Sequence, residues 1–187
     1  KKIPLVAIIL VGGFGSRMGK LTKNKHKSML EIGGYPILAH LYTQLRINLV
    51  KKIILCVGHK SKGISNYKKV AIKKDSDKIL KLLKNFNTYD YPKIIISKLP
   101  PSYSTSQRIF KIKDKIKNDD SLFLYGDTLL KPNFLKLMKF LNYKKIGGIL
   151  TLSKPQSKFG KVEIKNNKII KYFEKNASNE SWVNSGW

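Results

Sequence analysis

The feature that most constrains this chain is an unbroken apolar run, Leu5 to Val11, that empties into Gly12-Gly13-Phe14-Gly15-Ser16-Arg17-Met18-Gly19. The run is rich in β-branched residues and too short for an average helix, so it is expected to be a strand covered on both faces. Strands of that kind belong to parallel sheets with helices on either side, which sets the fold class as α/β. Four glycines within eight residues let the backbone bend sharply and approach a ligand closely, and a phosphate suits such a bend. Arg17 adds a fixed positive charge.

Two better-known phosphate loops do not fit. The Walker pattern needs a glycine five residues ahead of Gly19-Lys20, where Phe14 stands, and a Ser or Thr where Leu21 stands. The dinucleotide fingerprint accepts Gly13 and Gly15 but meets Met18 at its third glycine, and no acidic residue closes the second strand at Val57-Gly58.

Along the chain, Pro36 is placed to open a helix through about Leu45, with Ile37, Leu41 and Leu45 on one face. Lys52 to Val57 reads as a second strand ending at Gly58-His59-Lys60, and His59 is taken as a loop residue without chemistry. Tyr67 to Leu83 is partly helical, and Lys93 to Ser97 is a third strand. Ser104 or Thr105 can cap a helix that turns Ile109, Ile112 and Ile116 inward. Ser121 to Tyr125 is a further buried strand with Gly126-Asp127-Thr128 at its end. A carboxylate just past an apolar strand is costly unless it meets a cation or donors. Asp127 is therefore the foremost candidate metal ligand, the alternative being a turn or capping residue ahead of Pro132. Pro132 opens a helix carrying Phe134, Met138 and Leu141, and Gly147 to Ser153 returns as a strand. Gly160 to Ile164 and Ile169 to Lys175 flank an Asn166-Asn167 turn as a hairpin.

At 187 residues a single domain is the default. The formal charge of +27 would ordinarily suggest nucleic acid or an anionic membrane. All but three of the 38 basic residues are lysines, however, spread along the whole chain, as a compositional bias toward Lys, Asn and Ile would produce without any function. No nucleic-acid partner is expected. Cys56, the single cysteine, lies in an apolar run and reads as a core residue, which excludes an internal disulfide and a thiolate cluster. No cleavage site follows the first apolar run, and no segment reaches the ~20 apolar residues of a membrane span. A cytoplasmic location is expected.

The ordered set Gly-Gly-x-Gly-Ser-Arg-Met, then Lys25-His26-Lys27-Ser28-Met29, then Gly33-Gly34-Tyr35-Pro36-Ile37-Leu38 closely resembles the opening of the sugar-1-phosphate nucleotidyltransferases. Their usual second segment is Lys-Pro-Lys-Pro-Met, so His26 and Ser28 stand where prolines are usual. Thr105-Ser106-Gln107-Arg108-Ile109 is similar in register to the Thr-Gly-Gly-Arg-Ile of the glucose-1-phosphate cytidylyltransferase branch. The resemblance implies a Rossmann-like three-layer α/β/α sandwich with a mostly parallel sheet, as in glycosyltransferase-A-like nucleotidyltransferases. It implies a transfer of NMP from an NTP, with CTP favoured, to a sugar 1-phosphate. It also implies roles. Arg17 and Lys27 would be catalytic; Leu10, Gly12, Gly13, Gly15, Ser16, Arg17, Ser104, Thr105 and Arg108 would bind the nucleotide; Asp127 would hold Mg²⁺. The Phe-Gly-x-Val-Glu, Glu-Lys-Pro and Asn-x-Gly segments of the family touch the sugar phosphate, and Gly160, Glu174, Lys175, Asn184 and Gly186 match them.

Members of that family continue for some tens of residues, with a second metal-binding aspartate, so the chain is expected to lack the C-terminal part of its domain. Two other readings stay open. One is a related cytidylyl- or guanylyltransferase with a non-sugar acceptor, against which the Gly33 to Leu38 segment speaks. The other is a non-catalytic relative that senses nucleotides or associates with nucleic acid. A homo-oligomer is compatible with all of them.

Overall fold

The computed structural model of the chain describes residues 6–67, 69–85, 87–116, 120–129, 136–137, 139–140, 149–153, 161–173 and 183–185. The opening apolar run forms strand β1 (Val6–Val11), buried at every residue. Two 3-10 segments follow, Ser16–Thr22 and Lys27–Met29, and then the short antiparallel pair β2 (Glu31–Ile32) and β3 (Tyr35–Pro36). Pro36 caps helix α1 (Ile37–Ile47) from one position outside it, and Leu41 and Leu45 are fully buried along its inner face. Strand β4 (Lys52–Val57) leads to α2 (Ser61–Asn66) and α3 (Lys69–Leu82), then to β5 (Lys93–Lys98). Helices α4 (Thr105–Lys111) and α5 (Lys113–Ile116) precede β6 (Ser121–Tyr125).

The sheet runs β5-β4-β1-β6 with every pairing parallel. Period-two alternation sends Ala7, Ile9 and Val11 to one face, where they pack with Leu38, Leu41 and Leu45 of α1 and Ile72 of α3. Val6, Ile8 and Leu10 go to the other, with Ile54, Cys56 and Ile112. Helices thus cover both faces, giving the expected three layers. Between α1 and α3 the buried Arg46 donates to Asp77 at 2.6 Å and to the Tyr89 carbonyl at 2.9 Å. The helix expected to run from Thr105 through Ile116 is two short ones that bend at Ile112, whose side chain is fully buried. Cys56 is a core residue, its thiol pushed up to about 11 by burial, with the Arg108 and Lys115 cations pulling the other way.

The chain divides into two compact units, Lys1–Ile149 with Trp187, and Leu150–Gly186. In the second, β7 (Leu152–Ser153) pairs antiparallel with β10 (Val183–Asn184). The hairpin of β8 (Lys161–Lys165) and β9 (Lys168–Phe173) turns through Asn166 and Asn167 at φ 49° and 57°, the left-handed pair a type I′ turn demands and asparagine tolerates. Pro132, Phe134, Met138 and Leu141 lie outside the described residues. No helix among the described residues is long and apolar enough to cross a membrane.

Candidate phosphate-binding site

A parallel sheet whose order reverses beside its first strand opens a crevice at the carboxyl ends of the two strands that diverge there. Here those strands are β1 and β6. The glycine bend leaves the first, and Gly126-Asp127 leaves the second. Their closeness is enforced locally: the Gly126 N–H donates to the Leu10 carbonyl at 3.1 Å, and a Cβ on Gly126 would sit 2.2 Å from Val11 Cγ1. Only glycine lets β6 close against β1 at that point, and Asp127 is thereby delivered to the rim of the crevice.

Lys27 meets it there. Its Nζ lies 2.5 Å from Asp127 Oδ2 across one hundred residues of sequence, with the two side chains 22% and 31% exposed. The pair is accessible to a ligand yet partly shielded from solvent, so its charges act more strongly than a surface pair would. The Lys27 stem also crosses the glycine bend, its Cε 3.9 Å from where a Cβ on Gly13 would stand.

The bend is held from beneath. Gly12 is buried, and a Cβ there would fall 2.2 Å from Arg108 Nη1. Gly15, at φ +70°, turns the chain into the first 3-10 segment, whose buried Thr22 donates its hydroxyl back to the Gly15 carbonyl at 2.9 Å. Lys60, beyond β4, donates its ammonium to the Thr22 carbonyl. Arg108 is 5% exposed; its Nε donates to the Tyr103 carbonyl at 3.0 Å and Nη2 to the Pro100 carbonyl at 2.9 Å. Its Nη1 has no partner and lies against both Gly12 and Gly58. A buried unpaired donor at the ends of β1 and β4 is an unmet demand for an acceptor.

His26 completes the inner wall. It caps the Lys27–Met29 segment, and its imidazole accepts from the Ser28 N–H at Nδ1. Burial, then the Lys27 cation, lower its pKa to about 4 against a raising influence of the Gly13 backbone and Asp127. The ring is therefore neutral near pH 7.

Of the residues singled out from the sequence, Gly12, Gly13, Gly15, Lys27, Arg108 and Asp127 converge on this one end of the sheet. Leu10 sits inside the sheet with its carbonyl engaged by Gly126. Ser104 caps α4, its hydroxyl accepting from the Gln107 N–H, and both Ser104 and Thr105 are exposed. Ser16 and Arg17 form the first turn of the 3-10 segment, and their side chains lie outside the described residues. Gly160, Glu174, Lys175 and Gly186 are likewise outside them, while Asn184 is an exposed residue of β10. Sequence reasoning gave no role to Thr22, His26 or Lys60. The ring of His59, read as an idle loop residue, lies 4.8 Å from that of Phe14 in the glycine bend. None of these follows a periodicity or a spacing; the one available signal was a histidine set between two lysines.

A Rossmann-type strand order with a glycine bend and a lysine–carboxylate pair at its reversal point defines an α/β protein built to handle phosphates. Residues 6–187 match the nucleotidyl transferase family, NTP_transferase, and the chain belongs to that family of nucleotide-transferring enzymes. It is 27% identical over 187 residues to the glucose-1-phosphate cytidylyltransferase of Salmonella typhimurium, covering 97% of this chain and 73% of that one. It is 29% identical to the probable glucose-1-phosphate cytidylyltransferase of Bacillus subtilis, covering 97% and 72%. A putative glucose-1-phosphate thymidylyltransferase from Bacillus anthracis, crystallised with sucrose, shares the fold at a TM-score of 0.64 and 23% identity, over 96% of this chain and 68% of that one. The resemblance to sugar-1-phosphate nucleotidyltransferases seen in the opening motifs thus extends over nearly the whole chain.

Proposed function

We propose that this chain catalyses attack by an oxygen of a sugar 1-phosphate on the α-phosphorus of a nucleoside triphosphate, CTP by preference, forming a nucleotide sugar and releasing pyrophosphate. The observation that carries the reading is the Lys27–Asp127 pair, 2.5 Å apart, set beside the glycine bend at the strand reversal. The reaction asks little covalent work of the protein. Its task is to hold two mutually repelling anions in line and to neutralise charge on the α-phosphate and on the leaving pyrophosphate. The amides of residues 12–16 would cradle the triphosphate, Arg17 would hold the leaving phosphates, and Lys27 would bridge the α-phosphate and the incoming phosphate.

Asp127 suits Mg²⁺ as a hard oxygen ligand. No group of three or more His, Cys, Asp or Glu gathers among the described residues; this ion commonly takes phosphate oxygens and water beside one or two carboxylates. Bound there, the ion would supply positive charge beside the α-phosphate. The preference for CTP is supported by the names of two relatives, and Arg108, wedged under Gly12 and Gly58, braces the bend from beneath. Ser104 and Thr105 flank that position. Gly160, Glu174, Lys175 and Asn184 are assigned to the sugar phosphate.

The test is pyrophosphate release with CTP, UTP, dTTP and GTP, each paired with glucose 1-phosphate and other sugar phosphates. The fastest release is expected with CTP. Equal or faster release with another triphosphate would remove the CTP preference alone, and no release with any pair would refute the reading as a whole.

A further inference from the structure

We propose that His26 is a positioning residue that fastens the glycine bend to the lysine turn, each ring nitrogen serving one of the two. The inference rests on the triphosphate reading above. The imidazole is 3% exposed. Its Nδ1 accepts from the Ser28 N–H at 3.2 Å and lies 2.8 Å from Ser28 Oγ, which fixes the start of the Lys27–Met29 segment and hence the direction in which Lys27 departs. With Nδ1 accepting, the neutral ring carries its hydrogen on Nε2. That Nε2 is buried and makes no hydrogen bond of normal length and angle.

The ring's surroundings name the missing partner. Gly13, Lys27, Asp127 and His59 are the groups acting on it, and of these Gly13 acts through its backbone. Lys27 Cε lies 3.9 Å from where a Cβ on Gly13 would stand, so the lysine stem passes beside the bend that the ring faces. Hydrogen bonds at such sites are often long without ligand and close when it binds. When the triphosphate seats, the Gly13 carbonyl closes onto Nε2–H. In a trans peptide the carbonyl and the following N–H point in opposite directions, so anchoring the Gly13 oxygen aims the Phe14 N–H away from His26 and toward the phosphates. The usual proline of this segment stiffens the turn but carries no donor. At φ −67° and ψ 145°, His26 keeps a proline-like backbone and adds a second attachment.

The two attachments are separable by substitution. In His26→Asn the side-chain oxygen takes the place of Nδ1 and caps the turn, but the side chain is too short to reach the bend. In His26→Gln the amide nitrogen takes the place of Nε2 while the cap is lost. Hydrogen exchange is measured with and without CTP and Mg²⁺, together with steady-state turnover. His26→Asn is expected to speed exchange at residues 13–15, leave residues 28–30 protected, and raise KM for CTP about tenfold with kcat nearly unchanged. His26→Gln is expected to do the reverse, with kcat falling about tenfold and KM retained. Two variants indistinguishable from each other, or both matching the parent, overturn the proposal.

If neither amide variant folds, His26→Pro decides: a loosened bend beside a protected turn supports the proposal, and a parent-like bend overturns it. A parent protein that turns over no substrate pair would sink the proposed reaction, while the exchange pattern would still decide the role of His26.

Discussion

At the scale of single residues, contrasting substitutions separate chemistry from architecture. Lys27 is partly exposed and its partner more so, so the ion pair contributes only about 1 kcal/mol to stability. Lys27→Ala should therefore melt within a few degrees of the parent while losing at least ~100-fold in pyrophosphate release, because in the proposed reaction its charge would offset the charge that builds in the transition state. A variant with near-normal turnover would remove Lys27 from the mechanism. The two glycines that open the bend make a second contrast. A methyl on Gly12 would lie 2.2 Å from Arg108 Nη1 and 2.4 Å from its Cζ, and the guanidinium cannot step aside without breaking its bonds to the Pro100 and Tyr103 carbonyls. A methyl on Gly13 meets nothing closer than 3.9 Å. Chemical denaturation should find Gly12→Ala destabilised by about 1–3 kcal/mol and Gly13→Ala close to the parent. Equal midpoints for the two would mean that Arg108 is not wedged where it is placed.

At the scale of elements, the same reasoning explains what could be read in advance. Strands β1, β4, β5 and β6 were legible because burial, complete in β1 and partial in β5 and β6, leaves an apolar run bounded by polar or glycine residues, and the Asn166-Asn167 turn because its conformation restricts the residues that fit. The start of α4 was legible from chemistry: Ser104 and Gln107 close a reciprocal capping box, with the Ser104 N–H donating to Gln107 Oε1 at 2.8 Å. Ser104→Ala should cost about 1 kcal/mol in a thermal or urea melt. Because α4 carries Arg108, it should also weaken binding of the proposed triphosphate, and a variant with unchanged stability would deny the cap its weight.

Other elements were hidden for a physical reason. The separate helix α2 and the boundaries of α3 lie in a lysine-rich stretch whose polar faces carry no period. The bend at Ile112 depends on where the far face of the sheet needs an apolar plug. The site was half legible: glycines and lone charges announce themselves, but a buried histidine that caps one turn and faces another loop looks in the sequence like any polar residue between lysines.

At the scale of the whole molecule, the governing quantity is a formal charge of +27, which strains the compact state through self-repulsion. Melting temperature should rise as salt is added, since screening at 0.1 M shortens the reach of these repulsions to about 10 Å. Any binding to nonspecific DNA should vanish over the same range; retention at physiological salt would mean that the lysines form a real nucleic-acid surface.

Acid adds to this strain through one buried group in particular. The His26 pKa is about 4 in the folded chain against 6.5 when exposed, chiefly because burial disfavours the charged ring. As pH falls through 6.5 the unfolded chain takes up the proton first, so unfolding is favoured by mass action. The stability that the neutral ring confers is complete above pH 6.5, is lost progressively down to about pH 4, and changes no further below. The loss is on the order of 3 kcal/mol over that window. The carboxyl of Asp77, held down against the push of burial by bonds from Arg46 and Tyr91, and that of Asp90, held down chiefly by Lys51, lose their contributions only lower, below the ordinary carboxylate value of 3.8. Urea melts of the parent and His26→Asn at pH 7, 6 and 5 should therefore converge as pH falls, the parent losing stability and the variant holding nearly level. Parallel curves for the two proteins would show that the ring is not the group that titrates and that its burial does not keep it neutral.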